Sequence, residues 1–263
     1  MAIIGVLPTG MQVQRDNREE TIVNQDAAVW LDAIRNGQQG LDDLTNYVDA
    51  IQIDTSAYRV PNPYYGGPLG NPIRAWTSIY SYTNSFITGN PPLPVAPPYP
   101  LINGYRIVGL LSTPKYVPQT SGSPTEQSSL LYSNHVVAFV RAMSGGASDK
   151  APQTSSDVLD LSFRYRMVVE LNTNTVCYDP YAAATNSARH VTGILQTNLH
   201  DLRLIFRWPL LANGDTGNGR MVLRSMVGGW LYKPVQGAPY DNASQFGAWS
   251  DTLYFMQPRN YRQ

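Results

Sequence analysis

The sequence predicts an α+β protein: a long N-terminal α-helix packed on an antiparallel β-sheet head, with a Pro/Tyr-rich loop excursion. Three observations predict it. Val23, Ala27, Trp30, Leu31 and Ile34 fall at i, i+4, i+7, i+8 and i+11, a single stripe of a 3.6-residue period. Phe163–Leu171 and Leu202–Trp208 alternate apolar and polar residues, the pattern of strands with one buried and one wet face. Between residues 61 and 100 the chain is broken by Pro-Asn-Pro, Gly-Gly-Pro, Pro-Pro-Leu-Pro and Pro-Pro-Tyr-Pro, which suits neither a central strand nor a long helix.

The helix comes first. Met1 to Leu7 are apolar but far too few to span a bilayer, which takes roughly 20 residues. Pro8 and Gly10 predict a kink or break at the start of the helix. From Met11 to Asn36 a straight helix would be roughly 39 Å long at about 1.5 Å per residue. Gly37 then supplies the left-handed residue that helix ends favour. Leu41, Leu44, Val48 and Ile51 share a helical face and predict a second helix over Leu41–Ile51, with Asp42 and Asp43 in its first turn.

Residues 61–100 read as a surface excursion holding a short helix near Trp76–Phe86. Strands are predicted at Leu101–Leu111, His135–Met143, Leu161–Leu171, Leu199–Trp208 and Met221–Leu231, all rich in β-branched, leucine and aromatic residues. In Leu202–Trp208 the apolar residues Leu202, Leu204, Phe206 and Trp208 face one way and Arg203 and Arg207 the other. Ala212–Gly219 is a turn cluster that predicts a hairpin loop. The organisation is then a helical spine over 1–37 and a β-rich head over 38–263, with no internal repeat.

Composition narrows the function. The chain has 263 residues, formal net charge zero and only 14% charged residues, which argues against a nucleic-acid partner. Lysine occurs only at Lys115, Lys150 and Lys233, and the arginines are scattered along the chain without a cluster. The 17 tyrosines, 21 glycines and 20 prolines suggest an aromatic, turn-rich surface of the extracytoplasmic β kind. Cys177 is the sole cysteine, so no internal disulfide forms and no multi-cysteine metal site exists. His135, His190 and His200 form no paired motif, and no nucleophile elbow, P-loop or dinucleotide fingerprint is present. No catalysis is therefore expected and no cofactor is required. Asn213, Asp215 and Asn218 place oxygens at spacings a calcium ion could use, but without the downstream bidentate glutamate of a helix–loop–helix site. The competing reading of that segment is a plain hairpin turn. Tyr64, Tyr65, Tyr80 and Tyr99 fall in the proline-rich excursion and could form a binding platform, or pack the loop onto its own sheet.

The run Ile3-Ile4-Gly5-Val6-Leu7-Pro8-Thr9-Gly10, followed by Arg18-Glu19-Glu20-Thr21 and Ala27-Ala28, resembles the middle of a prepilin-type N-terminal helix. Type IV pilins, the pseudopilins of type II secretion and large minor-pilin-like proteins carry such a helix. Asn198–Pro209, with its Gly-rich hairpin, is similar to C-terminal strands of the large members. The likeness covers about 35 N-terminal residues, and beyond them only the general architecture. The family's cleavage site and its glutamate at the fifth mature position are not in the sequence and would lie before Met1, so the chain looks like a form truncated ahead of Met1.

The resemblance implies a structural subunit of a bacterial cell-surface filament or secretion assembly. Ile3, Ile4, Val6 and Leu7 would be the stub of the assembly interface. Its partners would be other pilin-like subunits, with an inner-membrane anchor and extracytoplasmic placement for the full-length form and solubility for the chain as given. The alternative, from another class, is an extracytoplasmic glycan- or peptide-binding β module using the tyrosine-rich surface.

Overall fold

A computed structural model describes residues 6–37, 42–60, 70–81, 99–101, 103–119, 129–144, 163–173, 194–195, 197–211, 214–233 and 253–260. Strands dominate it. In chain order they are β1 (Val48–Val60), β2 (Arg74–Ser81), β3 (Tyr99–Pro100), β4 (Tyr116–Gln119), β5 (Ser129–Arg141), β6 (Arg164–Asn172), β7 (Leu199–Leu210), β8 (Thr216–Gly228), β9 (Trp230–Tyr232) and β10 (Phe255–Gln257). Two helices accompany them, α1 (Val6–Asn36) and α2 (Gly104–Leu111). One sheet runs in the order β3-β2-β1-β5-β6-β7-β8, with β4 joined to β5, and β9 and β10 form a separate antiparallel pair. Every pairing in the large sheet is antiparallel except the short β2–β3 contact. β4 pairs Ser133 to Leu130 of β5, beyond the stretch of β5 that β6 occupies.

Successive strand residues face opposite sides, and directly paired residues share a side. The inner side therefore carries Ile51 and Ile53 of β1, Val136, Ala138 and Val140 of β5, Tyr165, Met167, Val169 and Leu171 of β6, and Leu202, Leu204, Phe206 and Trp208 of β7, all buried. Val23, Ala27, Trp30 and Ile34 of α1, Ile107, Leu110 and Leu111 of α2, and Leu253, Phe255 and Met256 complete the same core. The alternation read from Leu202 to Trp208 holds, with Leu202, Leu204 and Phe206 fully buried and Arg203 and Arg207 on the opposite side. Gly219 lies across from Trp208, and a Cβ there would strike the indole, so glycine makes room for the ring.

The α+β, pilin-like expectation is overturned. The described residues are mostly β, with strands making up 53% of them, and the fold is built on the sheet rather than on a long helix packed along it. α1 is exposed from Val13 to Thr21, Glu19 alone being half-buried, and burial begins only at Ile22. The physical reason lies in the sequence. The apolar stripe starts at Val23, whereas Arg15, Asp16, Arg18, Glu19 and Glu20 give the preceding turns nothing to bury. α2 and residues 253–256 share the covering of the inner face.

Other local expectations are corrected as well. No break interrupts the described helix: α1 runs continuously from Val6 through Pro8 and Gly10 to Asn36. Gly37 does take the left-handed conformation, φ 54°, and a Cβ on it would collide with the Met256 carbonyl oxygen. The helix expected over Leu41–Ile51 is a 3-10 turn at Asp42–Asn46 followed by β1. The alternation Ile51, Ile53, Thr55, Ala57 outweighs the shorter helical coincidence. The strand expected over Leu101–Leu111 is instead α2, opened by Asn103, whose Oδ1 accepts the Arg106 N–H at 2.9 Å. The helix near Trp76–Phe86 is β2 as far as Ser81, and residues 82–86 lie outside the described residues.

Candidate functional site

The side of the sheet away from the core carries the chain's unusual electrostatics. On β6, β7 and β8 the outward positions are Arg166, Val168 and Glu170; Arg207, Ile205 and Arg203; and Arg220, Val222 and Arg224. The register aligns them into three rows across the strands: Arg166–Arg207–Arg220, Val168–Ile205–Val222 and Glu170–Arg203–Arg224. The apolar row continues into Val137 of β5, which pairs with Val168. Val168 and Val137 are buried, Ile205 is half-buried, and Val222, on β8 at the end of the sheet order, is 41% exposed.

The two charged rows differ in how they are neutralised. Glu170 receives Lys115 at 3.0 Å and Arg203 at 3.4 Å, while Arg224 donates to Asp201 at 2.8 Å. The row Arg166–Arg207–Arg220 has no such pairs among the described residues. Among the described residues no ion pair reaches Arg166, Arg207 or Arg220. Burial lowers the Arg166 guanidinium from its ordinary value and the charge on Arg207 lowers it further, with Asp215 acting in the opposite sense. Arg166 Nε is buried with no hydrogen-bond partner among the described residues. Like charges opposed directly across strands repel.

A third group of charges closes the end of this face. A register shift between Val48 and Ala50 leaves Asp49 as an extra residue, aimed at the arginines of β5 and β6. Arg141 reaches Asp49 at 2.7 Å and Arg164 at 3.9 Å. Burial nonetheless raises the Asp49 carboxyl above its ordinary value, with both arginines partly offsetting it.

The residues singled out in the sequence are dispersed. Ile3 and Ile4 lie outside the described residues, and Val6 and Leu7 belong to α1. Tyr64, Tyr65, Asn213, His190 and Cys177 also lie outside them. Tyr80 is buried, with Arg106 over its ring at 5.6 Å, and so presents no open face to a ligand. Tyr99 pairs with Tyr80 through the β2–β3 backbone. Asp215 sits in the β7–β8 turn, where its carbonyl accepts the Leu211 N–H at 2.9 Å, and Asn218 is exposed on β8. Among the described residues no group of three or more His, Cys, Asp or Glu side chains is placed to hold a metal ion. His135 is exposed. His200 is buried, its Nε2 lies 3.0 Å from the Gly229 carbonyl, and burial lowers its pKa.

The arginine row is not visible in the sequence because its members belong to three strands. The available signal was an even spacing, Arg203 to Arg207 and Arg220 to Arg224, within segments already read as strands. Among the described residues no helix is long and apolar enough to cross a membrane. Compared with protein-family models, curated proteins and solved structures, the chain matches none of them.

Proposed function

We propose that the chain is a non-catalytic structural subunit of a bacterial cell-surface filament or secretion assembly, joined to neighbouring subunits through its N-terminal helix. One observation carries this reading: residues 13–21 of α1 are continuous with the buried half, and none of these described side chains joins the core. Val13 is 57% exposed there. A 31-residue helix is roughly 46 Å long at about 1.5 Å per residue, so an arm of some turns extends past the last core residue. Isolated helical turns are marginal in water, and an arm of this kind gains stability by packing against a partner. The likeness of residues 3–28 to a prepilin-type helix supports the same role, in which Val6 and Leu7, with Ile3 and Ile4 before them, meet neighbouring subunits and the sheet faces outward from the cytoplasm.

A photo-crosslinking residue at Val13 tests the proposal in cells of the native host. Adducts between subunits from position 13, with none from the equivalent residue placed at Arg59 on the exposed end of β1, are the expected result. Monomer alone at positions 13 and 17 would remove the basis for an assembly arm.

A further inference from the structure

We propose that Arg166, Arg207 and Arg220 form a binding site for a phosphate group on the outward face of the sheet. Three guanidiniums stand in register on neighbouring strands, which are spaced about 4.8 Å apart. That spacing lets their N–H forks converge on one tetrahedral oxyanion. Among the described residues Asp215 is the acid that acts on Arg166, and one carboxylate does not offset three guanidiniums. The remainder matches a phosphate monoester, which carries about −1.5 to −2 and three acceptor oxygens near pH 7. A single carboxylate would leave both charge and donors over.

Two further observations point to a ligand rather than to a structural cluster. Arg166 Nε is buried with no partner among the described residues, a donor that an anion on this face would satisfy. The neighbouring row of arginines shows how the same strands neutralise charge internally, through Glu170 and Asp201, and nothing comparable among the described residues serves Arg166, Arg207 and Arg220. Ile205 and Val222, one step along the strands, offer apolar surface beside the phosphate position. A free phosphate ester and a lipid phosphate headgroup share this chemistry.

Calorimetric titration of the full chain with inorganic phosphate, at ionic strength held constant with chloride, tests the site. Saturable binding of one phosphate per chain is expected, weakened about tenfold or more in Arg207→Gln and in Arg220→Gln. Arg207→Lys keeps the charge but loses the fork, and should also weaken binding. Circular dichroism establishes that each variant is folded, and Arg220→Gln, at an exposed position, guards against a fold failure at Arg207. A second arm uses vesicles of phosphatidylcholine with and without phosphatidic acid. Sedimentation with the phosphatidic acid vesicles alone assigns the phosphate to a lipid headgroup, and no sedimentation assigns it to a soluble ester. Absence of phosphate binding by the wild-type chain, or equal binding by wild type and Arg207→Gln, overturns the proposal.

Discussion

The two faces of the β5–β8 sheet are made by the same strands and differ in nearly every physical respect. Inward, Tyr165, Met167, Leu202, Leu204 and Phe206 are shut off from water and meet the buried half of α1. One chain of polar groups is bonded together there through Asp26 Oδ2, while Asp26 Oδ1 is buried with no partner among the described residues. Trp30 Nε1 donates to the Tyr165 hydroxyl at 2.9 Å, and that hydroxyl donates to Asp26 Oδ2 at 3.0 Å. Asp26 Oδ2 also accepts the Met143 backbone N–H at 2.9 Å, so one carboxylate ties α1 to the ends of β5 and β6. Outward, arginines stand opposite arginines along the row Arg166–Arg207–Arg220. The inner face is organised for stability, while on the outer face no ion pair among the described residues reaches Arg166, Arg207 or Arg220.

The largest effect should come from the inner side. Trp30→Ala removes a fully buried indole and one member of the hydrogen-bonded chain. A loss of about 3–5 kcal/mol is expected in urea-induced unfolding, and a loss under 1 kcal/mol would show that α1 is not fastened to the sheet as described.

Tyr165→Phe is a sharper probe because it keeps the ring and deletes only the hydroxyl. Trp30 Nε1 then loses its acceptor and Asp26 loses a donor, both in a buried setting. The expected loss is about 1–3 kcal/mol. An unchanged midpoint would mean that water enters this part of the core.

A smaller and pH-dependent effect belongs to His200. Its Nε2–H donates to the Gly229 carbonyl, and Nδ1 is buried with no partner among the described residues. Burial depresses its pKa, so the folded state prefers the neutral ring and the unfolded state takes up the proton more readily. The contribution is present above the unfolded value, about 6.5, and is lost as the pH falls through the lower folded value. His200→Gln should flatten the decline in stability measured between neutral pH and pH 5. A decline of the same slope in the variant would place the titration elsewhere.

The inner face was legible in one dimension because it depends on period alone. Leu202, Leu204, Phe206 and Trp208 announce themselves by alternation, as do Val23, Ala27, Trp30 and Ile34 by helical spacing. Gly37 and the β7–β8 hairpin were equally local signals. What failed was the weight given to each element. A long helical pattern suggested a spine, but only its second half has an apolar stripe to bury. α2 was missed because an eight-residue segment buried on most sides reads as a strand, and the Asn103 cap was the clue that separates the two. The arginine row was illegible for a different reason. Arg166, Arg207 and Arg220 are neighbours only through inter-strand register, which no single strand contains.

If the outer arginine row serves a ligand and not the fold, stability should hardly depend on it, and Arg207→Gln in phosphate-free buffer shows this most directly. Replacing the middle guanidinium relieves repulsion with Arg166 and Arg220, so equilibrium unfolding should show a stability within about 0.5 kcal/mol of wild type, or slightly above it. A loss as large as that from Tyr165→Phe would contradict the division of labour between the two faces.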